Sequence, residues 1–548
     1  MGKFLMFVLT ASIWASWGLS AQNYYWVGFT NKANSPWSLQ EPEAFLSQRA
    51  IDRRERQSIV VDSLDLPVNP SYVEGILHLG ATLVHSSKWL NGITVKAASD
   101  DFEVEALKLH FVSEVQLTKR SYETKSLNNK LKEPEAQGGL YDIDTNLYGA
   151  SAGQVSQLNT HFFHNQGYKG HGLHIAVLDA GFYKTDEYLA FDSLWAGGHI
   201  LGSKDFVGGS NVFDEHYHGM SVLSIMGGNI PGQLIGTAPK ASYWLIRSED
   251  VFSEFLIEED NWVAAAEFAD SVGADIINSS LGYFLFDDPG MNHTFEEMDG
   301  NTTRVTRAAN IAGTRGMLVF SSSGNEGRNI DSWNHIIAPS DGDHVIGVGA
   351  VNSEGLAASF TSHGPAYGGE VKPNVAAVGW NTILQRQNGT IGPGNGTSFS
   401  SPVMAGAAAC LWQANPQATS MDMKIAIEQS GHLYLQPDTL LGYGIPDLKL
   451  ADKILKSKLP DKWENNTTWL AYPNPASDFI ILQKKSNVSF DQVILSIFTT
   501  DGKLIWQEKR SDAAKIVVQN LQLLPRGLLL LQIISGDVAE TVKIRRSP

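Results

Sequence analysis

The sequence predicts an α/β fold: a doubly wound, mostly parallel sheet at the centre, a smaller α+β domain before it and a β-sandwich after it. Three observations carry the prediction. Between Tyr141 and Lys456 short apolar runs alternate with helical stretches, the pattern of a parallel sheet covered on both faces. Residues 22–125 mix strand and helix signals at the scale of an independent domain. Residues 469–548 hold short strands separated by turn signals. Residues 126–140 and 457–468 read as linkers, and residues 1–21 as a leader. With 43% hydrophobic and 10% aromatic residues the 548-residue chain has material for several cores. Its formal charge of −17 argues against nucleic-acid binding, which needs clustered Lys and Arg.

In chain order, Lys3 followed by the apolar run from Phe4 to Trp17, with Leu19-Ser20-Ala21 before Gln22, reads as a secretory signal. The run is short for a bilayer span of about 20 residues, and no later stretch is long and apolar enough, so no transmembrane segment is expected after signal removal. In the next domain Ser58–Val61, Ala81–His85, Ile93–Val95 and Val112–Leu117 read as strands; Pro70–Leu79 and Asp100–Leu109 read as helices. Lys119 to Gly139 is polar and charged, an exposed connection in which Lys119-Arg120 offers a basic cleavage point. The central region gives strands at His174–Leu178, Ser242–Ile246, Asp275–Asn278, Met317–Ser321 and Val345–Val351, with helices at Asn261–Val272 and Thr303–Arg315. The single cysteine, Cys410, excludes an internal disulfide and sits in an Ala-rich helix as a small buried hydrophobe. At the end, Phe479–Leu482, Val493–Phe498, Lys503–Trp506, Lys515–Val518, Leu528–Ile534 and Val542–Ile544 read as strands, with Asp501-Gly502 as a hairpin turn.

Three runs carry chemistry. Gly396-Thr397-Ser398-Phe399-Ser400-Ser401-Pro402-Val403-Met404-Ala405-Gly406 sets Ser398 in a small-residue turn at the head of an apolar helix. Unpaired N–H groups there favour a developing oxyanion. Ile175-Ala176-Val177-Leu178-Asp179 reads as a buried strand ending on a carboxylate, and His218-Gly219-Met220 opens a helix. A serine hydroxyl is a weak nucleophile that needs a base, and a histidine base needs an orienting acceptor. Asp179, His218 and Ser398 would supply all three parts, in the chain order Asp-His-Ser. Ser321-Ser322-Ser323-Gly324-Asn325-Glu326-Gly327 adds a side-chain amide after an apolar strand.

With these runs in view, the chain resembles a subtilisin-like serine peptidase, a subtilase. Ala180 and Met220 replace the usual residues of two signatures, and neither change removes a reacting group. The resemblance implies a secreted endopeptidase acting on proteins or peptides through an acyl-enzyme, with Ser398 as nucleophile, His218 as base, Asp179 as its orienter and Asn325 as oxyanion donor. It implies that Ser280, Leu281 and Gly282 pair with an extended substrate, and that Ser322, Ser323 and Gly324 wall the main specificity pocket. It also implies that residues 22–125 act as an inhibitory propeptide. The Tyr472-Pro473-Asn474-Pro475 opening and basic end at Lys543, Arg545 and Arg546 resemble the C-terminal sorting domain of type IX secretion in Bacteroidota. That implies passage through the periplasm to the outer surface or medium, with the secretion machinery as a partner. The chemistry requires no cofactor. A structural calcium is compatible with the family but is not placed: Asp287, Asp288, Glu296, Glu297 and Asp299 read as a solvated acidic loop, and His216 as a surface residue, so no metal ligand is assigned. Two other readings remain: a non-catalytic surface-binding protein on this scaffold, and an α/β-hydrolase esterase using Ser151 of Gly149-Ala150-Ser151-Ala152-Gly153.

Overall fold

The structure is a computed structural model that describes residues 22–120, 145–209, 211–329, 333–458 and most of 469–546. The leader and both linkers therefore lie outside the described residues, apart from Lys119, Arg120 and the helical end at 457–458. The chain divides into two compact units, 1–459 and 460–548.

The first domain is a four-stranded antiparallel sheet of β1 (Asn23–Phe29), β2 (Thr82–Ser87), β3 (Gly92–Ala97) and β4 (Val112–Lys119), in the order β2-β3-β1-β4. Helices Pro70–Leu77 and Phe102–Leu107 contribute Ile76, Phe102 and Ala106 to its core. Ser58–Val61 is not a strand. Helix Gln48–Arg56 ends there in a turn, with Ile59 N–H donating to Arg54 O at 2.8 Å and Ser58 at φ +58°. That helix is dense in charged residues, yet Arg53 and Arg54 are buried.

The central sheet has seven strands: β5 (His174–Asp179), β6 (Ile200–Asp205), β9 (Ser242–Arg247), β10 (Ile276–Ser279), β11 (Leu318–Ser322), β12 (Val345–Val351) and β13 (Val375–Val378). Between β6 and β9 lies a small hairpin of β7 (Asn229–Ile230) and β8 (Leu234–Ile235). The order β13-β12-β11-β10-β5-β9-β6 is parallel at every pairing. The chain enters at β5, fills one side with β6 and β9, then crosses to β10 and builds outward. The reversal between β5 and β10 opens a crevice at the strands' carboxyl ends, where ligands bind in open α/β sheets.

One face of the sheet is covered by helices His218–Gly227 and Thr397–Ala414, the other by Ile257–Ser271 and Arg304–Thr314. Thr397–Ala414 is buried from Thr397 to Trp412, which explains its all-round small and apolar composition. Ile257–Ser271 is also buried on both sides, though acidic, because the N-terminal domain sits on it. Asp270 pairs with Arg53, with Arg54 at 2.8 Å and with Lys88 Nζ at 2.8 Å. Asp260 accepts from Thr94 Oγ1 at 3.0 Å and pairs with Arg304 at 2.7 Å. Glu267 accepts from Ser87 Oγ, Lys88 N and Trp89 N at 2.5–3.0 Å. A hairpin of β14 (Thr382–Gln385) and β15 (Ile391–Gly394) leads into the helix that carries Ser398.

The second unit contains two antiparallel sheets. One is β16 (Trp469–Tyr472), β17 (Phe479–Lys484) and β20 (Lys515–Gln519). The other, ordered β19-β18-β21-β22, comprises β18 (Gln492–Thr499), β19 (Leu504–Ser511), β21 (Gly527–Ser535) and β22 (Val538–Arg546). Ile480, Leu482 and Val518 from the first and Leu495, Leu531 and Ile533 from the second share one core, so this is a sandwich.

Candidate active site

Asp179 is the last residue of β5 and is fully buried. Its Oδ1 accepts from Ala180 N–H at 2.7 Å and lies 2.7 Å from Nδ1 of His218, itself 3% exposed. An Nδ1–H donating to a carboxylate leaves Nε2 as the basic ring nitrogen. The approach depends on Gly219, where a Cβ would sit 2.5 Å from Gly181 O and 2.7 Å from Asp179 Cβ. His216 is half-buried rather than a surface residue, and its Nδ1 accepts from His218 N–H at 3.3 Å. Burial, then His218 and Arg247, push its pKa down to about 3, so it stays neutral. Arg247, opposite Asp179 in the β5–β9 register, donates Nε–H to Ala180 O at 3.2 Å and pairs with Asp205 at 3.1 Å and Glu215 at 3.3 Å. It ties the turn after Asp179 to its neighbours, and nothing local in the sequence marks it for that role.

Ser398 is the second residue of its helix and 8% exposed. Its Oγ donates to Ser280 O at 3.2 Å, while its own carbonyl accepts from Ser280 Oγ at 2.8 Å. Pro402 makes the second bond available. In a regular helix the Ser398 carbonyl would take the N–H of residue 402, and proline has none. Ser401 Oγ donates to Asn278 Oδ1 at 2.8 Å, and Asn278 Nδ2 donates to Ser280 Oγ at 3.1 Å. The turn bearing Ser398 is thereby stitched to the end of β10 through side chains far apart in sequence.

Asn325 follows β11, after Gly324 at φ +107°, a left-handed conformation that favours glycine. Its Oδ1 accepts from Thr397 N–H at 2.9 Å and Thr397 Oγ1 at 3.0 Å. With the oxygen engaged, Nδ2 is the end left to meet a ligand. Asn325 and Ser398 line one cleft of about 280 Å³, together with Ser280, Leu281, Gly282, Ser322 and Gly324. Ser323 is not among its lining: it is fully buried, with its N–H donating to Val348 O at 3.2 Å. Glu249 and Glu254, which the motifs do not single out, do line it.

Ser151 does not present a nucleophile. It is fully buried, donates to Tyr148 O at 2.8 Å and accepts from Ile235 N–H at 2.9 Å. Cys410 is buried against Thr237 O, and burial pushes its thiol pKa well up. The acidic loop works largely through turns and caps: Asp288 accepts from Gly290 N–H, Glu297 completes a capping box with Thr294, and Asp299 accepts from Asn301 and Thr302.

A parallel α/β sheet with a serine-bearing cleft at its carboxyl edge defines the class as an open α/β fold with its site at the topological switch point. The subtilase family profile matches residues 170–444, half of the chain, and the chain belongs to that family. It is a serine-type endopeptidase. Residues 24–135 match the peptidase S8 propeptide domain of Bacteroidota, and residues 470–545 match a secretion system C-terminal sorting domain, which marks the protein for export to the medium or cell surface. Among the described residues no helix is long and apolar enough to cross a membrane. Subtilisin E of Bacillus subtilis is 28% identical over 301 residues, 54% of this chain and 70% of the relative. Subtilisin of Bacillus pumilus is 27% identical over the same share of this chain and 97% of its own. The thermostable alkaline protease of Halalkalibacterium halodurans is 24% identical over 355 residues, 64% of this chain and 87% of its own.

Proposed function

We propose that the enzyme hydrolyses peptide bonds through an acyl-enzyme formed on Ser398. His218 Nε2 takes the hydroxyl proton as Ser398 Oγ attacks the carbonyl carbon, then delivers it to the leaving amine. Asp179 holds the imidazole in the required tautomer and stabilises its cationic form. Asn325 Nδ2 and the helix N-terminus at Ser398 meet the oxyanion. Water, activated by the same histidine, then releases the acid and regenerates the serine. The reaction consumes one water and needs no cofactor.

The observation that carries this reading is the 2.7 Å contact between His218 Nδ1 and Asp179 Oδ1 at the sheet reversal that also brings Ser280 against Ser398. In the same reading residues 22–125 are a propeptide that docks on the peptidase domain, 141–456, and is cut within 119–148; residues 469–548 address the protein to the type IX machinery. Protein or peptide substrates lie extended along Ser280–Gly282, with Ser322 and Gly324 across the cleft. Ser398→Ala and Ser151→Ala, each assayed on a protein substrate after secretion, test the assignment. Turnover should disappear in the first and persist in the second, and the reverse result would remove Ser398 from the reaction.

A further inference from the structure

Between β1 and helix Pro70–Leu77 the N-terminal domain sends out an arm that includes helix Gln48–Arg56. Among the described residues none from 30 to 67 belongs to that domain's own hydrophobic core. The arm is nevertheless fastened to the domain. Lys32 Nζ donates to Ser63 O at 2.6 Å, to Leu66 O at 2.7 Å and to Lys88 O, in the β2–β3 turn, at 2.6 Å. All three ammonium donors are used.

The far end of the arm bonds to the peptidase domain. Arg49 Nε donates to Gly273 O at 2.9 Å, and Arg53 Nη1 donates to Ala274 O. Arg53 Nε reaches Arg315 O at 3.2 Å, and Gln57 Nε2 reaches Gly316 O at 2.7 Å. Gln57 Oε1 accepts from Ser420 N–H at 2.8 Å. These groups lie just past the C-terminal ends of helices Ile257–Ser271 and Arg304–Thr314 and at the first residue of helix Ser420–Gln429. Backbone groups at helix ends need partners from outside the helix, and the arm supplies them at three helices. Gly273 and Gly316 adopt φ +81° and +88°, and a Cβ on either would sit 2.7 Å from Arg49 or Gln57, so both turns admit the arm as glycine. Asp275, just before β10, pairs with Arg49 and, at 3.3 Å, with Arg56.

This contact is remote from the reaction. Ala274 and Arg315 precede β10 and β11, at the amino edge of the central sheet, whereas Ser280 meets Ser398 at the carboxyl edge. From Ala274 to Ser280 the extended chain covers roughly 20 Å, at about 3.3 Å per residue. The end of β4 lies at the carboxyl edge. Lys119 donates to Ser253 Oγ at 2.9 Å, and Arg120 is 3.5 Å from Asp288 Oδ2, in the segments that follow β9 and β10. The N-terminal domain thus grips the sheet at both edges, and its connection leaves from the carboxyl edge alone.

We infer that the amino edge of the central sheet is a second docking site, that its occupant is the arm at residues 47–57, and that this site holds the N-terminal domain on the enzyme independently of the cleft and of the connection after Arg120. Holding the domain and blocking the cleft are then separate functions of separate surfaces. The inference does not depend on Ser398 being the nucleophile. The test uses the full chain carrying Ser398→Ala, with the recognition sequence of a site-specific protease inserted after Arg120. Cutting there severs the N-terminal domain from everything that could enter the cleft. On gel filtration the two pieces should stay together. In the Arg49→Ala/Gln57→Ala chain their dissociation constant should rise by about tenfold or more. Arg120→Ala, at the carboxyl edge, should change it less than about twofold. Asp275→Asn, on the opposite side of the same contact, gives a second reading should the arm variant not fold. Hydrogen exchange reads the site without any substitution: the Ser420 N–H, bonded to Gln57, should stay as protected in the cut chain as in the uncut one. Separation of the unsubstituted pieces on cutting, exchange at Ser420 that rises on cutting, or arm variants that hold as tightly as the unsubstituted chain would each overturn the inference. So would an Arg120→Ala effect as large as that of the arm variant, which would place the hold at the carboxyl edge.

Discussion

At the scale of single residues, each reacting group is held by partners from distant parts of the chain: Asp179 by His218, Ser398 by Ser280 and Asn325 by Thr397. Asp179, His218 and Ser398 stand out because each sits at the end of a strand or the start of a helix in a short, distinctive run. Their supports do not stand out. Thr397 orients Asn325 through two bonds to Oδ1, and Ser401, Asn278 and Ser280 connect elements separated by more than 100 residues. Such contacts arise from packing, which local periodicity does not encode. Pro402 shows the difference well: it lies within a run read as the head of one helix, and only the fold shows that it frees the Ser398 carbonyl for Ser280. Ser323 was expected in the pocket wall and turns inward, because consecutive residues of an extended segment face opposite ways. Asn325→Ala should lower kcat by about 10²–10³ with a smaller change in KM, a size taken from the corresponding subtilisin asparagine. Steady-state kinetics on a peptide ester and amide check it, and an effect confined to KM would assign Asn325 to ground-state binding.

At the scale of elements, the interior strands β5, β10, β11 and β12 were legible as continuous apolar runs. The edge strand β6, Ile200–Asp205, was not, because exposed residues such as Ser203 and Lys204 dilute its pattern. Helix Ile257–Ser271 begins four residues before its predicted start. Glu258, Glu259 and Asp260 in its first turn are buried, and Glu259 and Asp260 are held by tertiary partners that local pattern does not reveal. One of these contacts yields a pH prediction. Glu259 lies 2.5 Å from His293 Nε2, joining this helix to the loop after β10. Burial alone would lower the histidine, but Glu259 and then Glu297 outweigh it and hold its pKa above 6.5. For Glu259 burial would raise the pKa, and His293, then Arg304 and the Val305 N–H, together more than offset it, so the carboxylate sits below 4.5. The histidine's contribution is complete below pH 6.5 and is lost as pH rises through its raised folded value; the carboxylate's is complete above pH 4.5. Thermal unfolding of the unsubstituted protein and His293→Gln should therefore differ most between those limits, by about 3 kcal/mol, and converge at alkaline pH. A difference that grows with pH would contradict the charged pair.

At the scale of the whole molecule, the N-terminal domain and peptidase domain were legible as separate patterns, whereas their joint surface was not. The surface is ionic and buried: Arg53, Arg54 and Lys88 from one side meet Asp270 from the other, all nearly inaccessible. Charged residues in sequence read as solvent-facing, so such an interface hides in plain composition. Breaking a buried pair by removing one partner costs about 3–5 kcal/mol, because the remaining charges stay buried. Asp270→Asn in the peptidase domain should weaken inhibition by the separately added N-terminal domain by about a hundredfold or more. Inhibition assays on processed enzyme measure this, and an unchanged inhibition constant would place the affinity elsewhere on the surface.

The proposed reaction depends most on Ser398 being the activated nucleophile. Fluorophosphonate treatment of the processed, secreted protein, followed by peptide mass spectrometry, reads it directly. One adduct is expected, on Ser398, and it should be lost in His218→Ala. An adduct on Ser151, or none on Ser398 in the processed protein, would contradict it.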